Sequence, residues 1–328
     1  MLRNLLILAA KIAVTGGLIY LVLRGVDPAG IAARLEDLSV AWLIAAAVLV
    51  FAQNALIVTW RWERVVAAID AALPPWRLLR ATVISLFFNQ VLPSTFGGDG
   101  MRIWLLCRLD RRLGPAFRSV LIDRLLGLFG LLLLGLIGAA YLIGKLDEPG
   151  PAWVLLPVSL SGIGLIAAAP LLVRLMGWLP LPALRERLRT VAQEVAALAR
   201  NRRCLTELVG VSILGQVALS GAIILIAISL GIPIDPLGTL AVMPGVMIAS
   251  SIPVSIAGWG LREGSMVVGL GLLGVGQADA VLVSIVFGLL ALGFGLAGGL
   301  VWLLTGGRRP TEAELDPTAG NSAGNRSA

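Results

Sequence analysis

The sequence predicts an all-α polytopic membrane protein, with about six transmembrane helices plus two re-entrant half-helix hairpins arranged as an inverted repeat. Three observations lead there. The first is composition: of 328 residues 58% are hydrophobic and 14% charged, with a mean hydropathy of +0.94, which leaves too few polar residues to cover a water-soluble fold. The second is the recurrence of apolar runs near the roughly 20 residues that a helix needs to cross a bilayer. The third is a pair of interrupted runs, "NQVLPSTFGGDGMRIW" and "IPVSIAGWGLREG", that share one spacing of proline, glycine and arginine.

The apolar runs come in order as Leu5 to Leu23, Ala41 to Trp60, Leu125 to Ile143, Trp153 to Leu175, Leu208 to Leu230 and Ala280 to Leu304. The first is expected to be a retained helix rather than a signal peptide, since Lys11 interrupts its apolar core and no small-x-small cleavage pattern follows, and the Lys11 side chain is expected to snorkel to the near interface. Orientation follows from basic residues in short connections. Arg102, Arg108, Arg111, Arg112, Arg118 and Arg124, and later Arg174, Arg185, Arg187, Arg189, Arg200, Arg202 and Arg203, mark two cytoplasmic segments. Connections holding Asp27, Glu36 and Asp37, then Asp147 and Glu148, then Asp235, are expected outside. The net charge of +7 accordingly reports topology and attraction to anionic headgroups, and nucleic acid is not an expected partner. Both termini are expected in the cytoplasm.

That bookkeeping decides the first interrupted run. The segment before it, Arg61 to Arg80, carries Arg61, Arg64, Arg77 and Arg80 and is assigned to the cytoplasm, as is the segment after it, so a single crossing between them is forbidden. The apolar piece Ala81 to Leu92 rises only about 18 Å as a helix, against a hydrocarbon core of about 30 Å. The chain is therefore expected to enter from the cytoplasmic side, break at Pro93 and return through Gly97 and Gly98. In the second run Pro253, Gly258 and Arg262 repeat the offsets of Pro93, Gly98 and Arg102, and its flanks lie outside, so it dips from the opposite face. The halves, roughly 41–144 and 208–304, form an inverted repeat that places paired half-helices near the midplane. Residues 237–256 are long enough to span outright, with Pro244 and Pro253 arguing against a clean helix.

Residues 184–200 alternate Leu184, Leu188, Val191, Val195 and Leu198 with charged positions at helical spacing, which describes an amphipathic helix either lying on the cytoplasmic membrane surface or linking two spans in water. A single membrane domain is thus expected over 1–305. From 306 on, Gly, Ser, Asn, Pro and acids take over, and a disordered cytoplasmic tail is expected to 328. Cys107 and Cys204 both fall on the cytoplasmic side, where no disulfide is expected.

The chemistry available is narrow. The chain has no histidine, which removes the commonest proton shuttle, the hydrolytic triads and most metal sites. Gly97, Gly98 and Gly100 lack the Lys and Ser/Thr of a phosphate loop, and no cofactor is expected. What stands out is a set of charges in or near the membrane: Asp99, Arg102, Asp123, Arg124, Arg262 and Glu263. Each costs roughly 2.5–3.5 kcal/mol at mid-bilayer, tolerable where the charge is neutralised internally or lines a wet cavity. An arginine beside a half-helix N-terminus makes an anion site, because free N–H groups and the guanidinium fork point at one phosphate. Plainer roles compete: Asp99 as an N-cap for the helix to Arg108, Arg102 and Arg262 as topology-setting interface residues, Asp123 and Arg124 as an interfacial ion pair, and Trp60 and Trp62 as an aromatic belt.

At these residues the sequence resembles the flippase-like family of bacterial and archaeal membrane proteins that includes the membrane domain of lysylphosphatidylglycerol synthase and hopanoid-cluster members. The resemblance covers essentially residues 1–305. An Arg-Trp pair is met by Arg61 and Trp62; the following Asn-x-x-x-Pro and Gly-Gly-Asp-x-x-Arg by Asn89, Pro93, Gly97, Gly98, Asp99 and Arg102; an Asp-Arg by Asp123 and Arg124. The later Pro-x-Ser and Gly-x-Gly-x-Arg-Glu are met by Pro253, Ser255, Gly258, Gly260, Arg262 and Glu263, while Ala257 stands where a further glycine is usual. The resemblance implies movement of a lipid between leaflets. The synthase's soluble aminoacylating domain has no counterpart in this sequence, so lipid aminoacylation is not expected of it.

Joined to these residues, the resemblance implies a non-enzymatic translocator in a bacterial inner membrane whose hairpins bind the headgroup of an anionic phospholipid or lipid-linked cell-envelope intermediate. In that arrangement Arg102 and Arg262 hold phosphate from opposite sides, while Asp99 and Glu263 orient them. Two rivals stand beside it: an intramembrane lipid transferase with Asp99 or Glu263 as base, and a non-catalytic partner of a lipid, hopanoid or glycoconjugate enzyme. Protein partners on these readings are a cell-envelope biosynthetic enzyme or a second copy of the chain.

Overall fold

A computed structural model describes residues 15–17, 20, 24, 34–69, 73–92, 97–110, 113–147, 150–175, 182–252 and 258–305. Every regular element among them is helical. Five helices are long and apolar enough to cross a membrane: α1 (Val40–Ala68), α4 (Leu113–Lys145), α5 (Gly150–Leu175, apolar over Gly150–Ala169), α7 (Arg202–Ser229) and α10 (Gln277–Thr305). They coincide with five of the apolar runs; the run Leu5 to Leu23 lies mostly outside the described residues. Between them come α2 (Pro75–Val91), α3 (Gly97–Asp110), α6 (Pro182–Arg200), α8 (Pro236–Ser250) and α9 (Leu261–Gly271).

Two boundaries differ from the expectation. Helix α1 continues through Arg61 to Ala68 and α2 starts at Pro75, so the supposed loop Arg61 to Arg80 is mostly helix. Pro75 opens α2 at a position where its missing N–H is not needed. The 17 residues of α2 rise about 25 Å rather than 18 Å, still short of a hydrocarbon core of about 30 Å. Helix α8 stops after 15 residues at Ser250, with Pro244 inside it, so residues 237–256 do not form one continuous helix; Pro93, Pro253, Ser255 and Ala257 lie outside the described residues.

Polar ties place the helix ends. At one end of the bundle the Ser39 amide donates to the Ser229 carbonyl, Lys145 donates to Asp235, and Arg34 pairs with Asp279 at 3.1 Å. This end therefore holds the start of α1, the end of α4, the end of α7 and the starts of α8 and α10. At the other end Arg80 donates to the Thr305 carbonyl, Arg64 pairs with Glu207 at 3.0 Å, and Arg118 pairs with Glu194 at 2.8 Å.

The helices of the two halves interlock. Helix α2 packs on α3 and against α10; α8 packs on α9 and against α4; α1 packs on α7. Small residues allow the close approaches: a side chain at Gly138 of α4 would collide with the Ala241 carbonyl of α8, and one at Gly298 of α10 with the Val83 carbonyl of α2. Between apolar helices in lipid, where burial gives little drive, such contact is a main source of association. The largest buried cluster joins Ala46, Ile223, Ile226, Met243, Met266 and Val283 across both halves. The apolar face of α6, Val191 and Leu198, packs on Val65, Ile122 and Leu208.

Candidate functional site

Three helices bring charges together beneath this packing. Arg61 from α1 donates through Nε to Asp123 Oδ1 of α4 at 2.7 Å, and Arg102 of α3 donates through Nη1 to Asp123 Oδ2 at 2.9 Å. Asp99, one turn before Arg102, accepts from Arg124 Nε at 2.6 Å and lies 3.7 Å from Arg102 Nη1. Asp123 is fully buried, Arg102 is 3% exposed and Arg61 7%; the Arg124 side chain is half exposed. The Arg102 guanidinium lies over the Trp62 ring at 3.8 Å, and the Trp62 indole donates to Ser119 Oγ at 3.2 Å.

Local sequence explains how α3 is aimed. Asn89, near the end of α2, accepts from the Gly98 amide at 2.9 Å, so a side chain of the preceding helix caps this one. A Cβ at Gly98 would sit 2.5 Å from both Asn89 Oδ1 and the Ser85 carbonyl; glycine is what lets α3 start this close to α2 and puts Asp99 and Arg102 opposite α4. Asp99 sits in the first turn of α3, where its charge suits the helix dipole, but its carboxylate bonds to Arg124.

Three arginines (Arg61, Arg102, Arg124) against two aspartates (Asp99, Asp123) leave the cluster with one net positive charge. It is also incompletely bonded: Arg102 Nε and Nη2 and Asp99 Oδ1 are buried with no hydrogen-bond partner. Buried polar atoms are nearly always satisfied, and burying an ionised group without full pairing is expensive. The arrangement is what an anion, arriving with its own oxygens, would complete.

The second cluster is different in kind. Arg262 of α9 donates to Glu263 Oε1 through Nε at 3.1 Å and Nη2 at 2.6 Å, and Ser284 of α10 donates to the same oxygen at 3.2 Å. Glu263 Oε2 accepts from the Gly260 amide at 2.5 Å, tying down the start of α9. Gly258 and Gly260 take φ of 79° and 86°, left-handed values that favour glycine. Arg262 stacks on Trp259 at 4.6 Å and approaches Phe287 at 5.7 Å, and a side chain at Gly288 would overlap its Nη2. One arginine meets one carboxylate, and Arg262, Glu263 and Ser284 have none of the buried unpaired atoms found among the described residues.

Several expectations are corrected by this geometry. Asp123 and Arg124 do not pair with each other; each reaches a different partner. Arg102 is held chiefly by Asp123, with Asp99 the longer contact. Trp62 is fully buried under Arg102 rather than in an aromatic belt, whereas Trp60 is 42% exposed. Arg102 finds its partners on α1, α3 and α4, and Arg262 on α9, α10 and the turn before α9, so the hydrogen bonds of the described residues do not join the two arginines. Arg61, expected in a cytoplasmic loop, lies in α1 beside Asp123; its place in the Arg-Trp pair is the one feature of the sequence that sets it apart.

Fold and site together define a polytopic helical membrane protein with charged clusters buried between its helices. The chain belongs to the family described as the lysylphosphatidylglycerol synthase TM region, whose model matches residues 8–299. No curated protein matches it.

Proposed function

We propose that the chain is a non-enzymatic, flippase-like translocator of an anionic lipid or lipid-linked cell-envelope intermediate, and that it takes the headgroup phosphate at the cluster of Arg61, Arg102, Arg124, Asp99 and Asp123. The observation that carries this is Arg102: 3% exposed, in a cluster of net positive charge, with two N–H groups lacking partners. A phosphate oxygen at Nε and Nη2 satisfies both, and the guanidinium edge suits such a two-point contact. The half-exposed Arg124 provides the entrance.

In this reading α2–α3 and α8–α9 are re-entrant hairpins of an inverted repeat. Supporting it, α2 starts beside the end of α10, and α3 runs into the start of α4, near the Arg118–Glu194 pair; both limbs thus begin and end at one end of the bundle. The ties of Asp235 to Lys145 and of Asp279 to Arg34 support a second hairpin entering from the opposite end. The end carrying Arg64, Arg80, Arg118, Arg202 and Arg203 is the cytoplasmic one by the charge rule, in the inner membrane, with both chain termini on that side. The self-neutralised Arg262–Glu263 pair then serves as a fixed anchor between α9 and α10, and the two arginines are unequal in role.

The test is leaflet exchange of labelled anionic lipid in proteoliposomes. Arg102→Gln abolishes exchange, whereas Arg262→Gln reduces it only as far as it loosens the fold. Exchange at the full rate by Arg102→Gln overturns the assignment.

A further inference from the structure

Helix α1 is irregular farther from its arginine-rich end. Residues Ala52–Ile57 wind as a π-helix inside an otherwise α-helical span, and they contain two side-chain amides, Gln53 and Asn54. π-turns inside α-helices occur frequently at functional sites. Asn54 turns back on its own helix, donating to the Val50 carbonyl at 2.9 Å. Gln53 does not: its Oε1 is buried with no hydrogen-bond partner. Its side chain lies across Gly215 of α7, with Cγ and Nε2 each 4.0 Å from where a Cβ there would stand.

Thr59 is 6% exposed and its Oγ1 also lacks a partner, although a threonine in a spanning helix ordinarily bonds the carbonyl four residues back. Two residues later comes Arg61 and the charged cluster. Gln53 and Arg61, eight residues apart across the π-turn, come to the same side of the helix, with Gln53 about 12 Å farther from the arginine-rich end, whereas Thr59, two residues before Arg61, points away from both. Polar groups at such depth are costly in hydrocarbon, where nothing else satisfies them, and they mark ligand paths by default. Neither side chain bonds to the arginine cluster, so its internal pairing does not account for them.

We infer that Gln53 forms an uncharged hydrogen-bonding step for the lipid headgroup between the arginine cluster and the other leaflet. The π-turn brings Gln53 to the side of α1 that Arg61 uses, and Gly215 leaves the space opposite it. A neutral amide suits such a step, since it accepts or donates hydrogen bonds in passing without holding a phosphate as an arginine does. The inference rests on the translocation reading and assigns a residue that its headgroup site does not include.

Gln53→Met keeps size and removes the amide. It is expected to slow leaflet exchange of labelled anionic lipid at least tenfold, while native mass spectrometry shows the same lipid adducts as the unsubstituted protein, because the arginine cluster is intact. Exchange at the unsubstituted rate by Gln53→Met overturns the inference and leaves the translocator intact. If Gln53→Met also lowers the melting temperature, Gln53→Asn, which keeps the amide, decides: exchange faster than that of Gln53→Met supports the step, and an equal rate overturns it. If the unsubstituted protein moves no lipid, the translocation reading fails, and the inference with it.

Discussion

Replacing Asp123 by Asn leaves the shape of the cluster nearly intact and removes the charge on which two arginines converge. The side chain is fully buried and accepts at 2.7 Å from Arg61 and 2.9 Å from Arg102. Removing one member of a buried ion pair costs about 3–5 kcal/mol, because the partner stays buried and uncompensated. Here two partners are stranded, so a loss of at least about 3 kcal/mol is expected. At roughly 2–4 °C per kcal/mol, that lowers the melting temperature by about 6–12 °C. The comparison is Asp279→Asn, which removes the Arg34 pair whose side chains are 37% and 24% exposed; exposed pairs contribute about 0–1 kcal/mol. Thermal unfolding of both variants in one detergent gives the ordering, and the double variant Arg61→Gln/Asp123→Asn tests the mechanism. Because the two residues share a contact, the double variant is less destabilised than the sum of the singles by about 0.5–3 kcal/mol. Strict additivity, or Asp123→Asn no worse than Asp279→Asn, refutes the reasoning.

Other outcomes follow from the same geometry. Trp62→Ala, which opens a buried cavity beneath Arg102, costs about 3–5 kcal/mol, while Trp60→Ala at a 42% exposed position changes the melting temperature little. Asn89→Ala removes the cap on α3 and costs about 0.5–2 kcal/mol by thermal unfolding. Gly288→Leu displaces Arg262 and, on the proposed anchor role of the second cluster, is expected to destabilise the protein while leaving its lipid adducts in native mass spectrometry. Lys145 holds the Asp235 carboxyl below the usual carboxylate range, so that tie stabilises the fold above about pH 4, the ordinary aspartate value, and fades as pH falls through the lowered one. Asp235→Asn, which still caps α8, therefore melts lower than the unsubstituted protein at pH 7, and the gap closes in acid.

The spans were legible because length and hydropathy are local properties, and five of the runs recur as helices in the structure. The charge chemistry was only half legible. A count along the chain treats a buried arginine like one in a loop, so Arg61 was drawn into the cytoplasmic segment; its partner, Asp123, is 62 residues away. Adjacency misled in the opposite way for Asp123 and Arg124, although neighbours on a helix point in different directions and do not face each other. The i,i+3 relation of Asp99 and Arg102 was readable, yet its 3.7 Å length was not. The matched spacing of Arg102 and Arg262 suggested equal partners. Only coordinates show that Glu263 neutralises one locally while the other keeps N–H groups free. The π-turn at Ala52–Ile57 left no mark in composition beyond two amides in an apolar run.

Native mass spectrometry of gently extracted protein tests most directly whether Arg102 holds the phosphate of a membrane lipid through its free N–H groups. Arg102→Lys keeps the charge beside Asp123 but loses the planar fork. Phosphate-bearing lipid adducts are expected on the unsubstituted protein and on Arg262→Lys, and are expected to be lost from Arg102→Lys. The same adducts on all three proteins would contradict a phosphate site at Arg102.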